Sequence, residues 1–448
     1  MSARLKLINI SLILLSMARI SASFAQVDQE VQVLLERQSG VEIPALLHTE
    51  GKGGKKTAFP IVIKSLDLDE TIELALTNNA EIKASLAELG IARSNLQQAA
   101  LVENPELSVT FGVQTESPHF LPSGSLTQNF LDFFLVDLRK KAAESELTEA
   151  RLAAADRVLD FIFRVKVAYF TLQGAEQLRQ SLSAIAEASR VSAGLAQKLH
   201  DAGNFNLLEL NAHRLAAETA QIELAKAESE TIRAREFLLG LIGLKPGEVE
   251  IKKLSRLPAL PLSDPSLKDL EVLGIERRLD LQAAKQKIES LQKNLRLAER
   301  QFLSHIDFGI SAEREDSGAP VIGPMISLPL PVSDRNQAQK SKLQAQTIQS
   351  RYLVSSVERR ILTEVRTAHA QLLESRKIAK RYQTHVLPLL RKTLEETLLH
   401  YNFMLKSPFD LLQARREEIG ANRAYVEALR EYWTHYAELE RAVGASLK

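Results

Sequence analysis

The sequence predicts a mainly α-helical protein with a small β part, built from two similar halves. Three observations support this prediction. Aromatic residues make up only 5% of the 448 residues, and helix-forming residues dominate, a composition typical of long helices and coiled coils. Short stretches in each half alternate apolar and polar residues, as strands do. A block of about 200 residues also occurs twice, which is too long for a solenoid repeat.

The duplication is visible as matching segments that occur in the same order in both halves. In each half a short turn follows a very long helical stretch and precedes a shorter one. The matching segments, in pairs, are Asn204–Leu210 with Ser407–Gln413, Ser108–Gly112 with His305–Gly309, and Leu238–Gly240 with Ala442–Gly444. We therefore predict a first repeat at 66–244, a Pro-rich connector at 245–271 and a second repeat at 272–448.

Composition narrows the classes of function. The chain has 57 basic and 56 acidic residues, so no charge excess indicates nucleic acid or an anionic surface as its main partner. The absence of cysteine excludes disulfides and thiolate metal sites. The mean hydropathy of -0.11 argues against a helical membrane protein.

Residues 1–25 have the pattern of a secretion signal. A basic start precedes the apolar stretch Leu7–Ala18, which is too short to span a bilayer, and Ser23–Ala25 offers a small-x-small cleavage site. A membrane anchor is the alternative interpretation of this stretch. We expect an irregular arm at 26–65. An exported, cysteine-free, helical chain indicates a bacterial envelope protein.

Hydrophobic periodicity and capping signals place the helices and strands. Asp67 with Glu70 is a capping signal for the first helix, and Gly203 ends the longest helix of the first half. In the first half we predict helices at about 67–100, 139–201 and 207–241, and strands at about 107–113 and 125–136. In the second half we predict helices at about 272–303, 335–403 and 409–445, and strands at about 306–311 and 321–330.

The predicted helix lengths indicate an elongated arrangement. Each half has one helix of about 60–70 residues, roughly 95–105 Å long, and two of about 30–40 residues. Two short helices placed end to end match the long one. Laying them beside it puts the strand hairpins at one pole and the turns at Phe205 and Phe409 at the other. We expect a section of a long antiparallel helical barrel.

The predicted strands raise the question of a membrane. Counted with the residues that flank the alternating stretches, each has about 9–11 residues, the length of a tilted membrane-crossing strand. Alternation suits lipid on one face and water on the other. Four strands cannot close a barrel, and open edges are not tolerated in lipid, so several copies would have to join. The alternative is a soluble four-stranded sheet that caps a helical bundle. The export signal and the long helical body favour the membrane.

The sequence resembles the TolC-like outer-membrane efflux family over nearly the whole mature chain. Three features carry the resemblance: the opening segment Leu66–Asn79, the segment Asn104–Leu107 that leads into the first strand, and the two repeated turns. Within the family, Ile326–Gln337 resembles the CzcC-type branch, which serves heavy-metal efflux pumps. Ala338 stands where that branch usually has glycine.

The resemblance implies a homotrimer in the bacterial outer membrane, with most of each chain in the periplasm. Each protomer would give four strands to a shared 12-stranded β-barrel in outer-membrane lipid and its helices to an α-helical tunnel. The implied partners are a periplasmic adaptor (membrane fusion) protein and an inner-membrane pump of the RND type. The protein would be a passive exit duct without enzymatic activity or cofactor, and the branch implies heavy-metal cations as cargo.

The family's helix-turn-helix tips close the tunnel and receive the adaptor, which implies docking residues and a gate in this chain. The docking residues are Gly203, Asn204, Phe205, Asn206, Leu207, Leu208, Lys406, Ser407, Pro408, Phe409 and Leu411. The gate residues are Tyr401, Lys406 and Asp410, where the family places tyrosine, arginine and aspartate. Lysine in place of arginine weakens bidentate pairing. Our alignment of the two halves pairs Asp410 with Asn206, and helix capping is the alternative role of both residues.

Other classes of function fit the sequence less well. A periplasmic adaptor is also exported and also has helical hairpins, but it needs a large β-rich portion. A structural envelope coiled coil has no reason to contain strand hairpins at equivalent places in two halves. The histidines show no metal-ligand spacing, and no Ser/His/Asp set, phosphate loop or paired-carboxylate motif indicates an enzyme.

Overall fold

The computed structural model of the protein is mainly helical with a small β part. It describes residues 31–41, 61–63, 66–113, 120–244, 249–251, 254–263, 265–301, 306–314, 319–328, 330 and 332–447. The predicted secretion signal at 1–25 lies outside the described residues, as does most of the arm. A search of the described helices finds none with the length and apolar character needed to cross a membrane.

The elements, in chain order, alternate long helices with short strands. They are α1 (31–39), β1 (Ile61–Ile63), α2 (Leu68–Asn78), α3 (Ala80–Ala99), β2 (Glu106–Val113), β3 (Phe120–Gln128), α4 (Asp132–Asp201), α5 (Leu207–Ile242), β4 (Val249–Ile251), α6 (Leu267–Arg277), α7 (Leu279–Arg300), β5 (Asp307–Arg314), β6 (Pro320–Ser327), α8 (Gln337–Arg381), a π-helical turn (Tyr382–Val386), α9 (Leu387–Asn402) and α10 (Pro408–Val443). The chain divides into two compact units. The first comprises Met1–Lys83, Arg157–Arg278 and Arg360–Lys448, and the second Ala84–Asp156 and Leu279–Arg359.

The second unit contains a four-stranded antiparallel sheet in the order β2-β3-β5-β6. The central pair joins the hairpin of the first half to the hairpin of the second half, with Leu126 opposite Ile310. Alternation then divides the side chains between two faces. The apolar face includes Leu107, Val109, Leu126, Ile310, Ile322 and Ile326, each more than half exposed. The polar face includes Ser108, Thr110, Ser123, Ser125, Thr127, Ser311 and Glu313.

The second strand lies earlier than the sequence analysis predicted. We placed it at 125–136, but β3 ends at Gln128 and α4 already begins at Asp132. The Asp132 carboxylate is fully buried and accepts hydrogen bonds from Arg139 at 2.7 Å and from the Glu103 N–H at 3.2 Å. The Asn129 side chain accepts the Asp132 N–H at 2.8 Å. These hydrogen bonds stabilise the start of a helix, although the apolar residues around Asp132 had indicated a strand.

Two predicted helices are each broken once near an end. The helix predicted at 67–100 is divided at Asn79, whose side chain accepts the N–H groups of Glu81 and Ile82 and so caps a new helix. The helix predicted at 272–303 begins earlier, inside the predicted connector, and is divided at Arg278. The backbone is extended at both breaks, with φ -66° and ψ 128° at Asn79 and φ -58° and ψ 118° at Arg278. Periodicity missed these breaks because the apolar pattern continues through them.

The helix predicted at 335–403 is interrupted by a π-helical turn rather than by a break. Tyr382–Val386 forms this turn, and Pro388 lies just after it. Proline has no N–H to donate to the carbonyl four residues earlier, and its ring clashes with that carbonyl. Widening the helix by one residue removes the clash and keeps the chain helical.

The predicted irregular arm contains regular structure, so that prediction was wrong in part. Helix α1 buries Leu35 completely. In its last turn, the Gln38 side chain donates to the Arg277 carbonyl at 3.1 Å, and the Gln38 carbonyl accepts the Ser446 N–H at 2.7 Å. Strand β1 pairs in parallel with β4, which lies in the predicted connector. Strands of three residues are too short to produce a recognisable alternation.

The core of the first unit contains a buried ion pair. The Lys166 ammonium lies 2.7 Å from the Glu440 carboxylate, and both side chains are more than nine-tenths buried. Glu440 also accepts the Ser446 hydroxyl and the Leu447 N–H, each at 3.0 Å. The pair therefore fixes the last residues of the chain against α4 and α10.

Replacing Lys166 with methionine should destabilise the protein by about 3–5 kcal/mol, because Glu440 would stay buried without its cation. The measurement is the thermal midpoint followed by circular dichroism. The double variant Lys166→Met/Glu440→Met should recover most of the loss. Lys226→Met is the control, since its pair with Glu223 is exposed and contributes little. Equal thermal midpoints for Lys166→Met and Lys226→Met would contradict the prediction.

Candidate functional site

The first predicted tip is a tight turn between α4 and α5. Gly203 has a φ of +75°, the left-handed conformation that ends many helices. The Gly203 N–H donates to the His200 carbonyl and the Asn204 N–H to the Leu199 carbonyl, both at 2.9 Å. These bonds satisfy carbonyls that the end of a helix would otherwise leave without donors.

The second predicted tip, between α9 and α10, repeats the same hydrogen bonds with a different residue at its centre. Met404 has a φ of +59° and occupies the place that glycine holds in the first turn. Its N–H donates to the Tyr401 carbonyl, and the Leu405 N–H donates to the His400 carbonyl, both at 2.9 Å. The two turns are therefore structurally equivalent.

The helices that follow the turns start with equivalent capping boxes. In α5 the Asn206 side chain accepts the Glu209 N–H at 2.9 Å, and the Glu209 carboxylate accepts the Asn206 N–H at 3.0 Å. In α10 the Ser407 hydroxyl accepts the Asp410 N–H at 3.2 Å, and the Asp410 carboxylate accepts the Ser407 N–H at 2.9 Å.

This geometry corrects the pairing of the two halves at the tips. The equivalent pairs are Gly203 with Met404, Asn206 with Ser407, and Glu209 with Asp410. The sequence alignment had matched Asp410 to Asn206 because both lie near a phenylalanine. Each turn thus has an acidic residue at the same position, and only Asn206 of the two residues that we compared is an N-cap.

Three stacked rings connect the two turns. The Phe205 and Phe409 centroids lie 5.0 Å apart, and the His213 ring stacks on Phe409 at 4.4 Å and on Phe205 at 6.0 Å. We call Phe205, His213 and Phe409 the aromatic clasp. Such pairs contribute about 0.5–1.5 kcal/mol each beyond the burial of their surface. The sequence analysis included both phenylalanines and missed His213, although its place two turns into α5 puts it on the same side as Phe205.

The environment of His213 favours its neutral form. Burial lowers the pKa of the imidazole below 6.5, the nearby Arg416 lowers it further, and Glu209 raises it in part. The Ser192 hydroxyl lies 3.1 Å from Nδ1 and gives the ring a polar partner on α4.

The three predicted gate residues lie together on the second turn, but the contacts between them are loose. The Lys406 ammonium is 3.9 Å from the Asp410 carboxylate, and both side chains are about half exposed. Hydrogen bonds from the Ser407 N–H and hydroxyl lower the pKa of Asp410, and Lys406 adds a smaller effect in the same direction. Tyr401 contributes its carbonyl to the turn and leaves its side chain 38% exposed.

Most of the predicted docking residues are exposed. Phe205 in the first turn and Pro408, Phe409 and Leu411 in the second are half-buried. Leu207 and Leu208 are 58% and 80% exposed at the start of α5. The second turn exposes three consecutive apolar residues that the sequence analysis did not include: Phe403, Met404 and Leu405. The signal was present as an apolar run directly before the Ser407 cap. Within the described residues, no group of three His, Cys, Asp or Glu side chains could hold a metal ion.

Comparison with known proteins gives consistent results for sequence and fold. A family model described as outer membrane efflux protein matches residues 71–244 and 273–445. The cobalt-zinc-cadmium resistance protein CzcC of Cupriavidus metallidurans is 24% identical over 391 residues, which cover 85% of this chain and 90% of that protein.

Two solved structures with low sequence identity have the same fold. CusC has a TM-score of 0.66 at 18% identity, with 85% of this chain and 92% of that chain covered. The outer membrane protein VceC from Vibrio cholerae has a TM-score of 0.65 at 20% identity, with 85% and 97% covered. The mainly helical fold with a small sheet is therefore confirmed.

Acidification should loosen the aromatic clasp. The pKa of His213 is lower in the folded protein than its ordinary value of 6.5, so the stabilisation is complete above about pH 6.5 and is lost as the pH falls towards the folded pKa. A spin label on Leu207→Cys, in a chain that has no other cysteine, should become more mobile over this range. His213→Phe keeps a ring in place and cannot titrate, so it should remove the pH dependence. The same pH profile in that variant would refute the role of His213.

Proposed function

This chain belongs to the outer membrane efflux protein family, and from that premise we propose that three copies of it form one channel. It is an outer-membrane protein that acts as the exit duct of a tripartite efflux pump. The single observation that supports the trimer is the four-stranded sheet, which has an exposed apolar face. Among the described strands, its outer strands β2 and β6 each pair with one neighbour only.

Membrane physics requires a partner for those two edges. Unpaired N–H and C=O groups cost several kcal/mol each in lipid, so only closed sheets cross a membrane. Placing β6 of one copy beside β2 of the next continues the ladder. Three copies would supply twelve strands, an even number within the range of outer-membrane barrels. The apolar face then contacts lipid, and the polar face with its serine and threonine hydroxyls lines the pore.

The helices and the two turns serve the periplasmic side of the proposed duct. We place most of the chain in the periplasm, with the turns at the end that the adaptor meets. The exposed apolar residues Leu207, Leu208 and Phe403–Leu405 support docking, because exposed apolar clusters mark binding surfaces. The inner-membrane pump would engage the duct through the adaptor.

We propose that the chain consists of two internal repeats, each with one strand hairpin and one tip turn. The family model matches two separate stretches, 71–244 and 273–445, which lie within the predicted repeats 66–244 and 272–448. Each stretch contributes one hairpin to the sheet and one turn to the tips. The equivalent hydrogen bonds at Gly203 and Met404 support the same division.

We propose heavy-metal cations as the cargo. One relative is a cobalt-zinc-cadmium resistance protein, and the segment Ile326–Gln337 resembles the branch that serves metal efflux. The duct would let the ion pass without coordinating it, and the pump would determine which ion is exported. Growth of a deletion strain on zinc, cobalt and cadmium, with and without the gene restored, tests this part. Unaltered metal tolerance with altered drug tolerance would refute the metal cargo but leave the duct intact.

A cation on the apolar face should prevent membrane assembly, while the same change on the polar face should be tolerated. Ile310→Arg should destabilise the inserted trimer by about 2–4 kcal/mol, as arginine at the bilayer midplane does. Ser311→Arg is the matched control, one residue along β5 on the other face. The measurement is the fraction of protein extracted from outer membranes as a trimer on a native gel. Equal loss for both variants would argue against a lipid-facing sheet.

Removing charges from the second turn should widen the closed end of the proposed tunnel. Lys406→Ala and Asp410→Ala should each raise single-channel conductance in planar bilayers, because each removes a charge from the proposed gate. Asp410→Asn separates gating from capping: asparagine can still accept the Ser407 N–H but has no charge for Lys406. Glu209→Gln is the control in the equivalent capping box of the first turn. If Asp410→Asn and Lys406→Ala both conduct like the unmodified protein, the gate assignment fails.

A further inference from the structure

A groove of about 360 Å³ lies on α9 in the first unit, beside the second tip. Lys392, Glu396 and His400 line it from α9, and Lys406 lines it from the turn. We call this feature the basic groove. Of these four residues only Lys406 belongs to the predicted docking and gate residues, so the gate does not account for the groove.

The basic groove carries an excess of positive charge that the fold does not use. Its lining includes the ammonium groups of Lys392 and Lys406 and one carboxylate, that of Glu396. Within the described part of the chain, the side chains of Lys392, Glu396 and His400 make no hydrogen bond or ion pair. The Lys406 ammonium has one ionic contact, the loose one to Asp410 at 3.9 Å. With the imidazole neutral, the charges that line the groove leave an excess of positive charge.

The hydroxyl groups in the groove do not donate to a ligand. Thr393 donates to the Leu389 carbonyl at 3.0 Å, and Thr397 donates to the Thr393 carbonyl at 2.7 Å. The remaining side-chain donors are the ammonium groups and the imidazole. Charged donors of this kind bind carboxylates and other anions with hydrogen bonds roughly twice as strong as neutral ones.

The corresponding positions in the first half carry no charge. The equivalence of Gly203 with Met404 and of Asn206 with Ser407 fixes which residues correspond in the helices before the turns. The counterparts of Lys392, Glu396, His400 and Lys406 are, in order, Val191, Leu195, Leu199 and Phe205. The charge of the groove is therefore a property of the second tip alone and does not follow from the shared fold.

The same helix face is covered in the first half and open in the second. Ser192 and Ala196 on α4 are 1% and 0% exposed, and the Ser192 hydroxyl contacts His213 of the aromatic clasp. Their counterparts on α9 are Thr393, which is exposed, and Thr397, which is half-buried. Within the first unit, the chain thus fills this space at one tip and leaves it open at the other.

The basic groove adjoins the surface that the proposed function assigns to the adaptor. Lys406 lines the groove and directly follows Phe403–Leu405, the exposed apolar run of the second turn. An apolar cluster beside a charged groove is typical of a protein-binding surface, in which apolar burial supplies affinity and charge supplies specificity. A protein partner with a negative charge therefore fits this site better than a free inorganic anion.

We propose that the basic groove binds the carboxylate of an acidic side chain at the end of the adaptor's helical hairpin. This inference rests on the proposed function and adds the chemistry of the partner to it. Lys392 and Lys406 bind the carboxylate between them, and Glu396 disfavours ligands with a second negative charge. Because the contact of Lys406 with Asp410 is loose, the bound carboxylate draws Lys406 away from the proposed gate.

Two peptides test the charge of the partner. They are designed helical hairpins that differ at one turn residue, glutamate or glutamine, and fluorescence anisotropy of a dye on each peptide gives its affinity for the full chain in detergent. The glutamate peptide should bind roughly tenfold more tightly, the combined effect of two partly exposed ion pairs. Lys392→Ala and Lys406→Ala should each remove most of this difference. Lys226→Ala is the control, because it changes an exposed lysine on α5 and should leave the difference intact.

Conductance in planar bilayers separates this inference from the proposed function. The unmodified protein should conduct without peptide, which reports on the duct alone, and the glutamate peptide should raise the conductance by removing Lys406 from Asp410. If the protein conducts but the two peptides bind equally, or neither binds, the acidic partner is refuted and the duct stands. If the glutamate peptide binds without changing the conductance, the release of Lys406 is refuted. If the protein forms no channel, the proposed function fails and this inference fails with it.

Thiol reactivity tests whether the basic groove is open in the assembled protein. The chain has no cysteine, so Thr397→Cys introduces a single thiol. A sulfonate-bearing methanethiosulfonate should react faster there than an ammonium-bearing one, relative to the ratio of their rates on a free thiol. No reaction with either reagent would mean that a second copy of the chain covers the groove, and a faster reaction with the ammonium-bearing reagent would mean that the groove does not attract anions. Either result would overturn the proposal.

Discussion

The pairing of β3 with β5 is the contact on which the β part depends. It joins hairpins from the two halves, and its register puts Leu126 opposite Ile310. A shift by one residue would turn every apolar side chain of one hairpin to the polar face. Gly309 helps to fix this register, because a Cβ there would collide with the Leu126 carbonyl. One ladder therefore decides that the sheet has a single apolar face and that its two outer strands, β2 and β6, come from different halves.

Local sequence signals predicted the class and order of most elements, and long-range polar contacts decided where they begin and end. Periodicity placed the long helices, and alternation placed β2, β5 and β6 within a few residues. It failed at β3 because the apolar run continues past Gln128, while the Asp132–Arg139 pair and the Glu103 N–H start a helix there. At Asn79 the side chain caps the new helix and also donates to the Leu241 carbonyl, far along the chain. No local pattern contains that long-range bond.

At the tips the sequence identified the right segments and paired the wrong residues. The sequence alignment matched a phenylalanine and the polar residue that follows it. In the structure, the features that recur in both turns are the N-cap residue and its acidic partner. Glu209 and Asp410 therefore have the same structural role, because each carboxylate accepts the N–H of its N-cap residue. A gating role for Asp410 would be additional to this capping role. The aromatic clasp could not be predicted as a unit, because it joins Phe205 and His213 to Phe409 from the other half.

The two equivalent turns have the same hydrogen bonds but different conformational costs. Glycine adopts the left-handed conformation freely at position 203, whereas a residue with a side chain is strained there, by roughly 1–2 kcal/mol. Met404 bears this cost while its side chain is 94% exposed, so burial of the side chain does not compensate for it. The π-helical turn before Pro388 lies on the helix that leads into this same turn. The second tip therefore has a strained residue at its centre and a π-helical turn on the helix that leads to it, and release of the strain at Met404 would lower the free energy needed to rearrange this tip.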